Sequence, residues 1–322
     1  MSNSPPIILS PEVAAALHDG TPVVALESNV ITHGLEYPHN ADAATKVQAA
    51  VRLGGAVPAT IGIDAGRILV GLDEDQIERF ATGQRIPKVS SRDMGHAVAA
   101  GGMGATTVAS SVVAAHAAGI KHFCSAGIGG VHHGVQDTLD ISSDLIQFTR
   151  TPLMVVCAGA KNILNLPLTL EFLETQCVPV VSYQSDDFPA FYCRSSGLRS
   201  PQRIDDPLLL AQTAEQHWSL GNSTAVVVTT PPREEDAIDF NEAQSAVEDA
   251  LREAGRIGIT GKDVTKFLMR SVDRATDGRS STANMAVLVS TAEVAGHLAA
   301  VHAAHLAEPA SMQNLDKEIA HA

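Results

Sequence analysis

Lys161 lies where a cation is unusual. It follows an apolar run, residues 152–160, at what the pattern predicts to be the start of a helix from Asn162. The amino end of a helix carries partial positive charge and apolar surroundings desolvate an ammonium group, so both effects favour the neutral amine. A neutral amine can attack a carbonyl or anomeric carbon. The alternative is a lysine whose stem packs on the sheet while its ammonium group reaches water.

Two further charged residues, Glu27 and Lys88, also border apolar runs. Glu27 ends the run 22–27 and suits a general acid, because burial raises the pKa of a carboxyl group. Its alternative role is to accept hydrogen bonds from loop amides. Lys88 begins the segment KVS and, with Arg92 nearby, is placed to hold a phosphate group, unless it is a plain surface cation.

The segment SAGIGGVHHG, residues 125–134, is a glycine-rich turn. Successive glycine amides can point at an anion, so the turn resembles a phosphate-binding loop. It is not a dinucleotide fingerprint, since Gly127 and Gly129 fit the first two positions of G-x-G-x-x-G but His132 replaces the third glycine. His132 and His133 are candidate anion or metal ligands, although adjacent side chains point apart in an extended chain.

The segment TLDISSDL places four polar residues within five positions: Asp140, Ser142, Ser143 and Asp144. Most such clusters cap a helix. The other interpretation is a hard cation, magnesium or manganese, held by one carboxylate and several waters. The residue types alone leave both interpretations open.

The pattern of the surrounding sequence predicts the fold that would position these residues. Continuous apolar runs alternate with helical segments, which indicates a mainly parallel sheet covered by helices on both faces. Two runs around residues 64–66 predict a hairpin that makes the sheet mixed. We therefore predict a three-layer α/β/α fold in a single domain, residues 1–322, with its core at about 10–305. Parallel strands would bring the charged residues and the glycine-rich turn to one edge of the sheet, where such folds bind ligands.

Capping residues mark the expected helix boundaries. They predict helices between Ser10 and Gly20, from Asn40 to about Leu53, and from Asp73 through Phe80. The residues beyond Pro309 are expected to be loosely ordered.

The composition excludes some partners. Basic residues number 22 and acidic residues 36, and the resulting net charge of −14 argues against nucleic acid or an anionic membrane. The sequence contains no run of about 18 apolar residues, which a membrane-spanning helix would need. Residues 1–8 also lack a signal-peptide pattern, so we expect a cytoplasmic protein. Among the four cysteines, which show no metal-binding spacing, Cys124 and Cys157 are predicted to be buried thiols.

The chain resembles the pseudouridine-5'-phosphate glycosidase family, also called pseudouridylate synthase or the indigoidine-A-like family, over roughly residues 10–305. The segments that carry the resemblance are PVVALESNVITHG, GAVPATIGI, KVSSRDM, GATTVAS, GIGGVHHG, LDISSDL and VVCAGAKNILN. The resemblance implies reversible cleavage of the C–C glycosidic bond of pseudouridine 5'-phosphate to uracil and ribose 5-phosphate. It implies that Lys161 attacks the anomeric carbon to give a ring-opened Schiff base, while Glu27 donates a proton as the ribose ring opens. A C–C bond has no leaving oxygen to protonate, so the paired-carboxylate route of ordinary glycosidases is unsuited.

The resemblance also implies roles for further residues. Asp140 matches a manganese ligand, with waters completing the shell of the Mn²⁺ ion. Substrate-binding roles are implied for Lys88, Val108, His132, Ser142, Ser143, Asp144 and Asn284. A homotrimer is the implied assembly, and the small residues of VASSVVAAHAAG suit close helix packing.

The chain departs from the family pattern at three positions. Asn29 stands where threonine is expected, and Ser91 and His133 stand where arginine is expected. None of them is Lys161 or Glu27, so the implied reaction class stands.

Two other functions share some of these features. An aldolase-type Schiff-base lyase acting on another sugar phosphate needs the lysine, but neither a uracil-reading Asn284 nor a metal. A non-catalytic nucleotide- or sugar-phosphate-binding module would use Lys161 only to pair with phosphate.

Overall fold

Short apolar runs form the strands, because aliphatic side chains pack well on a pleated surface that is covered on both faces. The computed structural model describes residues 6–307, without the side chain of Lys262. Its strands are β1 (Ile7–Leu9), β2 (Val23–Glu27), β3 (Val57–Asp64), β4 (Arg67–Val70), β5 (Lys88–Val89), β6 (Gly104–Thr106), β7 (His122–Cys124), β8 (Met154–Cys157), β9 (Val180–Tyr183), β10 (Gln202–Ile204) and β11 (Val226–Thr229).

The strands form one sheet in the order β1–β4–β3–β2–β7–β8–β11–β9–β10. Neighbours are parallel, except that β3 pairs antiparallel with β4 and with β6, and β5 joins the sheet through β6. Strands β8, β9 and β11 are buried at every position, which requires a covering layer on each face. This confirms the predicted α/β fold with a mixed, mostly parallel sheet and flanking helices.

The predicted hairpin joins β3 to β4. Ala65 and Gly66 at its turn have φ values of 48° and 74°, and Asp64 pairs with Arg67 across it. Positive φ at both central residues is what a tight two-residue hairpin turn requires. Glycine adopts that backbone without strain, which explains why the chain reverses here.

The covering layers are built from helices and three short 3₁₀ turns, Ser91–Asp93, Glu234–Asp236 and Gly261–Asp263. The helices are α1 (Pro11–Asp19), α2 (Asn29–His33), α3 (His39–Leu53), α4 (Glu74–Thr82), α5 (Met94–Ala100), α6 (Val108–Ala117), α7 (Val135–Thr138), α8 (Ser143–Phe148), α9 (Leu166–Thr175), α10 (Pro207–Ser219), α11 (Phe240–Ile257), α12 (Val264–Ala275) and α13 (Arg279–Ala307). The predicted caps of α1 and α4 are confirmed: Ser10 accepts a hydrogen bond from the Val13 amide, and Asp73 forms a capping box with Gln76.

The helix predicted to start at Asn162 begins instead at Leu166, so that prediction was wrong. Asn165 Oδ1 accepts a hydrogen bond from the Leu168 amide at 3.0 Å, and Pro167 occupies the first turn of α9. Residues 161–165 form the loop that precedes this cap.

The predicted cap at Asn40 was also wrong, because α3 already begins at His39. The Asn40 side chain instead donates to Ile31 O at 2.8 Å and to Ala81 O at 2.9 Å, which ties α3 to α2 and α4. The region beyond Pro309, expected to be loosely ordered, lies outside the described residues.

The core consists mainly of aliphatic side chains from the sheet and its covering helices. Cys124 and Cys157 lie within it, as predicted, at 1% and 0% exposure. Burial raises the pKa of Cys157 to about 12. These thiols are therefore protonated packing groups rather than nucleophiles.

Helix α13 packs against α3, α10 and strands β2, β7 and β8. Gly54 and Gly296 lie where α3 and α13 meet, and a Cβ on either would collide with the backbone of the other segment. By length and composition α13 alone among the described helices could cross a membrane, yet half of its most apolar window is buried inside the protein. That burial is typical of a core helix, and the absence of a membrane span stays a prediction.

Candidate active site

The ends of β2, β7 and β8 lie in register at one edge of the sheet. Glu27 is the last residue of β2, Ser125 is the first residue after β7, and the loop after β8 carries Lys161. Parallel pairing therefore brings residues from three distant parts of the sequence to the carboxyl edge, where open α/β sheets bind ligands.

Glu27 is partly accessible at this edge, and Ser125 Oγ donates a hydrogen bond to its Oε1 at 2.7 Å. Burial raises the pKa of Glu27 and outweighs Lys161 and Ser125, which both lower it. A carboxyl group with a raised pKa stays protonated to higher pH and can donate a proton there. The geometry thus suits a general acid.

Lys161 is fixed through its backbone. Its amide donates to Ile128 O at 3.1 Å, and its carbonyl accepts from the Leu164 amide at 3.0 Å. Because no helix begins here, the helix-dipole argument for a neutral amine was wrong. The positive charge of Lys161 lowers the pKa values of three groups that surround it: Glu27, Lys88 and His132.

Lys88 opens β5. Burial lowers the pKa of Lys88 and Lys161 lowers it further, while Glu27 raises it. Its residue surface is nevertheless exposed. The Lys88 side chain is thus packed against protein and still accessible from outside. Two amines and one carboxyl group therefore lie close together at the carboxyl edge of the sheet, in the region we call the cleft. Within residues 6–307 neither amine forms an ion pair.

Asp144 joins two walls of this cleft. It is 7% exposed on α8, and its Oδ1 accepts from the Ala109 amide and its Oδ2 from the Gly129 amide, both at 2.9 Å. Ala109 follows Val108, which is buried at the first position of α6. The carboxylate therefore holds the glycine-rich turn against the start of α6.

Ser142 and Ser143 belong to the same connection. Ser142 Oγ accepts from the Asp144 amide at 3.2 Å and caps α8, as one of the two interpretations of this segment predicted. The Ser143 hydroxyl lies 2.6 Å from the Ser90 hydroxyl, next to β5. The predicted substrate contacts of Ser142, Ser143, Asp144 and Val108 stay predictions, and the structure places all four beside Lys88 or the glycine-rich turn.

Five amides of the glycine-rich turn already have protein acceptors, and those of Ser125 and His132 donate to Val156 O and Asp140 O. The Ile128 amide donates to Gly159 O at 3.1 Å, the Gly129 amide to Asp144, and the Val131 amide to Thr169 Oγ1 at 3.0 Å. These amides shape the loop instead of cradling an anion, which differs from the phosphate-loop expectation. Gly129 is required there, because a Cβ would collide with Ser142 and Asp144.

His132 and Asp140 face each other across a short turn. The His132 amide donates to Asp140 O at 3.0 Å, and His132 Nδ1 lies 3.9 Å from Asp140 Oδ2. Burial lowers the pKa of His132, Asp140 opposes this, and Lys161 and Lys88 lower it further. The neighbouring His133 is exposed, and burial of its ring still lowers its pKa.

A metal ion at Asp140 would have one protein carboxylate. The Asp140 side chain is 41% exposed, and in the part of the chain that the structure describes no group of three or more His, Cys, Asp or Glu could hold an ion. An accessible carboxylate beside an open cleft fits a hard cation that keeps most of its waters. It does not fit zinc, which takes three or four protein ligands.

Asn284 lies near the amino end of α13, one turn after Ser280. Ser280 Oγ donates to Asp273 Oδ1 at 2.9 Å, and Asp273 raises the pKa of the Tyr192 hydroxyl. Residues four apart share a helix face. Asn284 thus shares a helix face with Ser280, and its predicted substrate contact stays a prediction.

Sequence reasoning missed the bond from Ser125 to Glu27, and it missed the buried polar side chains of Asn29, Asn162 and Tyr192. Ser125 had a signal, since it follows the apolar strand β7 as Glu27 ends β2. The other three carry buried polar atoms without hydrogen-bond partners in the described structure, which no local pattern reveals. Two open grooves, along α12 and between α3 and α13, contain neither Glu27 nor Lys161.

The sequence and the fold both match known proteins. The family model described as "Indigoidine synthase A like protein" matches residues 12–301. Pseudouridine-5'-phosphate glycosidase 1 of Photorhabdus laumondii is 60% identical over 299 residues, covering 93% of this chain and 94% of that protein. Pseudouridine-5'-phosphate glycosidase of Serratia proteamaculans is 60% identical over 301 residues, covering 94% and 98%.

Two solved structures share the fold. One is the prealnumycin C-glycosynthase AlnA in complex with ribulose 5-phosphate, with TM-score 0.89 and 45% identity over 94% of this chain and 99% of that one. The other is an indigoidine synthase A-like protein from Thermotoga maritima, with TM-score 0.84 and 30% identity over 93% and 97%.

Proposed function

Because the chain belongs to the indigoidine synthase A-like family, we propose that it is a pseudouridine-5'-phosphate glycosidase that works through an imine on Lys161. It is an enzyme that acts on a C-glycosidic bond. The proposed reaction reversibly converts pseudouridine 5'-phosphate and water to uracil and ribose 5-phosphate. The observation that carries the proposal is the placement of Lys161 near Glu27 in one cleft, where the charge of the amine opposes the burial that raises the pKa of the acid.

The first step opens the sugar ring. The free amine of Lys161 attacks the anomeric carbon, the bond from that carbon to the ring oxygen breaks, and Glu27 gives its proton to the departing oxygen. Burial favours the protonated acid that this step consumes. Ser125 orients the carboxyl group through Oε1, which leaves Oε2 to carry the proton.

The second step breaks the C–C bond. The attached nitrogen first returns a proton to the Glu27 carboxylate, and its lone pair then forms the imine as the electrons of the C–C bond return to the base carbon. The base carbon takes that proton from Glu27 and leaves as uracil. Water then hydrolyses the imine, releasing ribose 5-phosphate and the amine. Lys88, on the cleft wall, supplies a positive charge for the phosphate group.

We propose that one Mn²⁺ ion binds at Asp140 with water completing its shell. When bound, the ion supplies positive charge near the phosphate. The support is the single accessible carboxylate beside His132. Electron paramagnetic resonance of Mn²⁺ added to the protein and to Asp140→Ala tests this: the bound signal is expected only with the unaltered chain, and equal binding by both would contradict it.

Borohydride trapping tests the imine. The protein is incubated with ribose 5-phosphate and borohydride and analysed by mass spectrometry, beside Lys161→Ala and Lys161→Arg. A reduced pentose-phosphate adduct is expected on the unaltered chain alone. Arginine keeps the positive charge but cannot form the imine, so it separates catalysis from simple phosphate binding.

The same experiment ranks the alternative functions. If no adduct forms on any of the proteins when manganese is present, the result contradicts covalent catalysis and favours a sugar-phosphate-binding module. An adduct without any joining of uracil to ribose 5-phosphate would favour an aldolase-type lyase. Formation of pseudouridine 5'-phosphate from uracil and ribose 5-phosphate is the result we expect.

We further propose a homotrimer in the cytoplasm. The small residues of α6, which were expected to suit close helix packing, are mostly buried within the chain itself, so they do not support a trimer. Light scattering after size-exclusion chromatography measures the mass directly, and a monomer would contradict the proposed assembly.

A further inference from the structure

Two serine hydroxyl groups form a hydrogen-bonded pair close to Lys88. Ser90 Oγ lies 2.6 Å from Ser143 Oγ, and either oxygen can be the donor. Ser90 directly follows strand β5, and Ser143 is the first residue of α8. The bond therefore joins two segments that border the cleft, and the proposed mechanism gives Ser90 no part.

The pair carries one proton more than it uses. Each serine hydroxyl has one proton, and a single hydrogen bond between two hydroxyl groups uses one of the two. Within residues 6–307 neither hydroxyl donates to any other acceptor. Whichever serine is the donor inside the pair, the other keeps a proton for a group from outside the chain.

Other hydroxyl pairs in the described part of the chain place both protons on the protein. Ser182 Oγ lies 2.7 Å from Thr229 Oγ1, and the Ser182 hydroxyl can also donate to Asp187 O at 3.4 Å. That pair is buried, whereas Ser90 and Ser143 are both partly accessible. Two further hydroxyl clusters also have a carbonyl acceptor, Thr106 with Ile61 O and Ser110 with Val89 O.

Lys88 and Ser90 lie on the same side of the chain. Ser90 has an extended backbone, with φ −91° and ψ 172°, so the side chains of residues 88 and 90 point to one face, roughly 6.6 Å apart along the chain. Val89 between them points the other way and is 3% exposed. Lys88 itself is exposed, so a ligand from solvent can reach the ammonium group and the hydroxyl pair together.

Hydrogen bonds to the start of α6 fix both halves of the pair. Val89 O accepts from Ser110 Oγ at 2.7 Å and from the Thr107 amide at 3.1 Å, which holds β5 on the first turn of α6. Asp144, the residue after Ser143, accepts from an amide of the same turn at 2.9 Å. The two hydroxyl groups are therefore held in place before any ligand arrives.

The spare proton and the nearby ammonium group suit a phosphate monoester. A phosphate oxygen is an ionised acceptor, and hydrogen bonds to ionised acceptors are about twice as strong as neutral ones. Lys88 supplies positive charge beside the donor. The neighbouring carboxylate of Asp144 has both oxygens bound to amides, so it does not compete for the proton.

We propose that Ser90 is a positioning residue, which holds the Ser143 hydroxyl so that the proton of Ser143 points at the phosphate group of the substrate. Ser90 donates to Ser143 Oγ, and Ser143 donates to a phosphate oxygen that Lys88 also contacts. Two hydroxyl groups linked in this direction polarise each other and strengthen the outer bond. The inference rests on the proposed function for the identity of the ligand, a sugar phosphate.

Calorimetry with ribitol 5-phosphate tests this arrangement. The compound has the phosphate group but no aldehyde, so it cannot form an imine and its binding is independent of catalysis. We expect its Kd to rise about tenfold or more in Ser143→Ala and about three- to tenfold in Ser90→Ala. Ser90→Thr keeps the hydroxyl group and should bind within about twofold of the unaltered chain.

A double variant separates positioning from folding. If Ser90 acts only through Ser143, the chain with both Ser90→Ala and Ser143→Ala binds as weakly as Ser143→Ala alone, because residues that act as a unit are not additive. Ser182→Ala also breaks a hydroxyl pair, but inside the sheet. This control is expected to lower the melting temperature and to leave the Kd unchanged.

The outcomes keep this inference apart from the proposed function. Additive losses in the double variant, an unchanged Kd in Ser90→Ala, or weak binding by Ser90→Thr would each overturn the positioning role, as would an unaltered chain that does not bind ribitol 5-phosphate. If the binding pattern is as expected and the unaltered chain does not join uracil to ribose 5-phosphate, the proposed function fails while the phosphate contact stands.

Discussion

Ser125 Oγ lies 2.7 Å from Glu27 Oε1, and this hydrogen bond joins the ends of two neighbouring strands. The hydroxyl lowers the pKa of Glu27, whereas burial raises it by more. The bond thus limits how far burial raises the pKa of Glu27, and it fixes the orientation of the carboxyl group.

Replacing Ser125 by alanine should raise the pKa of Glu27 further, because a donor that favours the carboxylate is removed. A general acid must be protonated, so the basic limb of the kcat/KM profile should move to higher pH. The measurement is uracil release as a function of pH. Ser182→Ala, which removes a buried hydroxyl 2.7 Å from Thr229 Oγ1 in the sheet, is the control and should leave the limb in place. An unmoved limb in Ser125→Ala contradicts the role of Glu27 as acid.

Glu27→Gln should lower cleavage of pseudouridine 5'-phosphate by about 10²–10⁴-fold, the usual contribution of a general acid. The same variant should still give a borohydride adduct with ribose 5-phosphate, because the open-chain aldehyde needs no ring opening. Lys161→Arg should lose both activities. Equal loss of adduct in Glu27→Gln would show that imine formation with the open-chain aldehyde also needs Glu27, which contradicts a role confined to ring opening.

Asp144→Asn should destabilise the protein by about 1.5–3 kcal/mol, the range for a hydrogen bond to a charged group. The carboxylate accepts from the Gly129 and Ala109 amides at once, and an asparagine can accept only one of them and turns a donor toward the other. Urea unfolding measures the free energy. Asp42→Asn, at an exposed position of α3, is the control, and equal stability of the two variants would refute the structural role.

Gly129→Ala should lower activity more than it lowers stability. The new methyl group would push Ser142 and Asp144 aside and move the turn that borders the cleft. Gly95→Ala, whose Cβ would meet nothing, is the matched control and should be as active as the unaltered chain. Activity of Gly129→Ala within about twofold of that control would mean that the turn tolerates displacement.

Stability should fall as pH decreases below about 6.5, the ordinary pKa of histidine. His302 Nδ1 lies 3.0 Å from His122 Nε2, and His302 Nε2 lies 2.9 Å from Glu215 Oε1. Burial lowers the pKa values of both histidines, and Lys121 lowers them further. As pH decreases, these histidines therefore bind protons in the unfolded chain at a higher pH than in the folded chain. The free energy of unfolding is largest above the histidine pKa of the unfolded chain, and it falls as pH decreases toward the lowered pKa values of the folded chain.

His302→Gln should flatten that dependence, measured by chemical unfolding at several pH values. Glu215 also has a lowered pKa, but its contribution is lost only below the ordinary carboxyl range, so the two effects are resolved in pH. A variant whose stability falls as steeply as that of the unaltered chain would show that other groups control acid unfolding.

Features that depend only on neighbouring residues in the sequence were predicted correctly. The cap at Ser10, the capping box at Asp73 and the turn at Ala65–Gly66 each depend on a few neighbouring residues. The alternation of apolar runs and helices was enough for the fold class. The wrong helix start at Asn162 could have been avoided, because Asn165 followed two residues later by Pro167 is a typical helix start. With the helix beginning after Asn165, Lys161 does not lie at a helix amino end, and the helix dipole gives no reason for a neutral amine.

Other features depend on pairing across the chain. Strands β1, β6 and β10 have three residues each, too few to show a period, and they exist because a neighbouring strand offers hydrogen bonds. Ser90 and Ser143 are 53 positions apart, and they become neighbours only because β5 and α8 are both held on the start of α6.

The double hydrogen bond of Asp144 also affects how a ligand binds. Because one carboxylate holds both the glycine-rich turn and the start of α6, two walls of the cleft are ordered in the free protein. A ligand that enters then loses its own freedom of motion but does not have to immobilise these segments. Calorimetry of ribose 5-phosphate binding should therefore show only a small conformational-entropy penalty from the protein, and that penalty should grow when the carboxylate is removed.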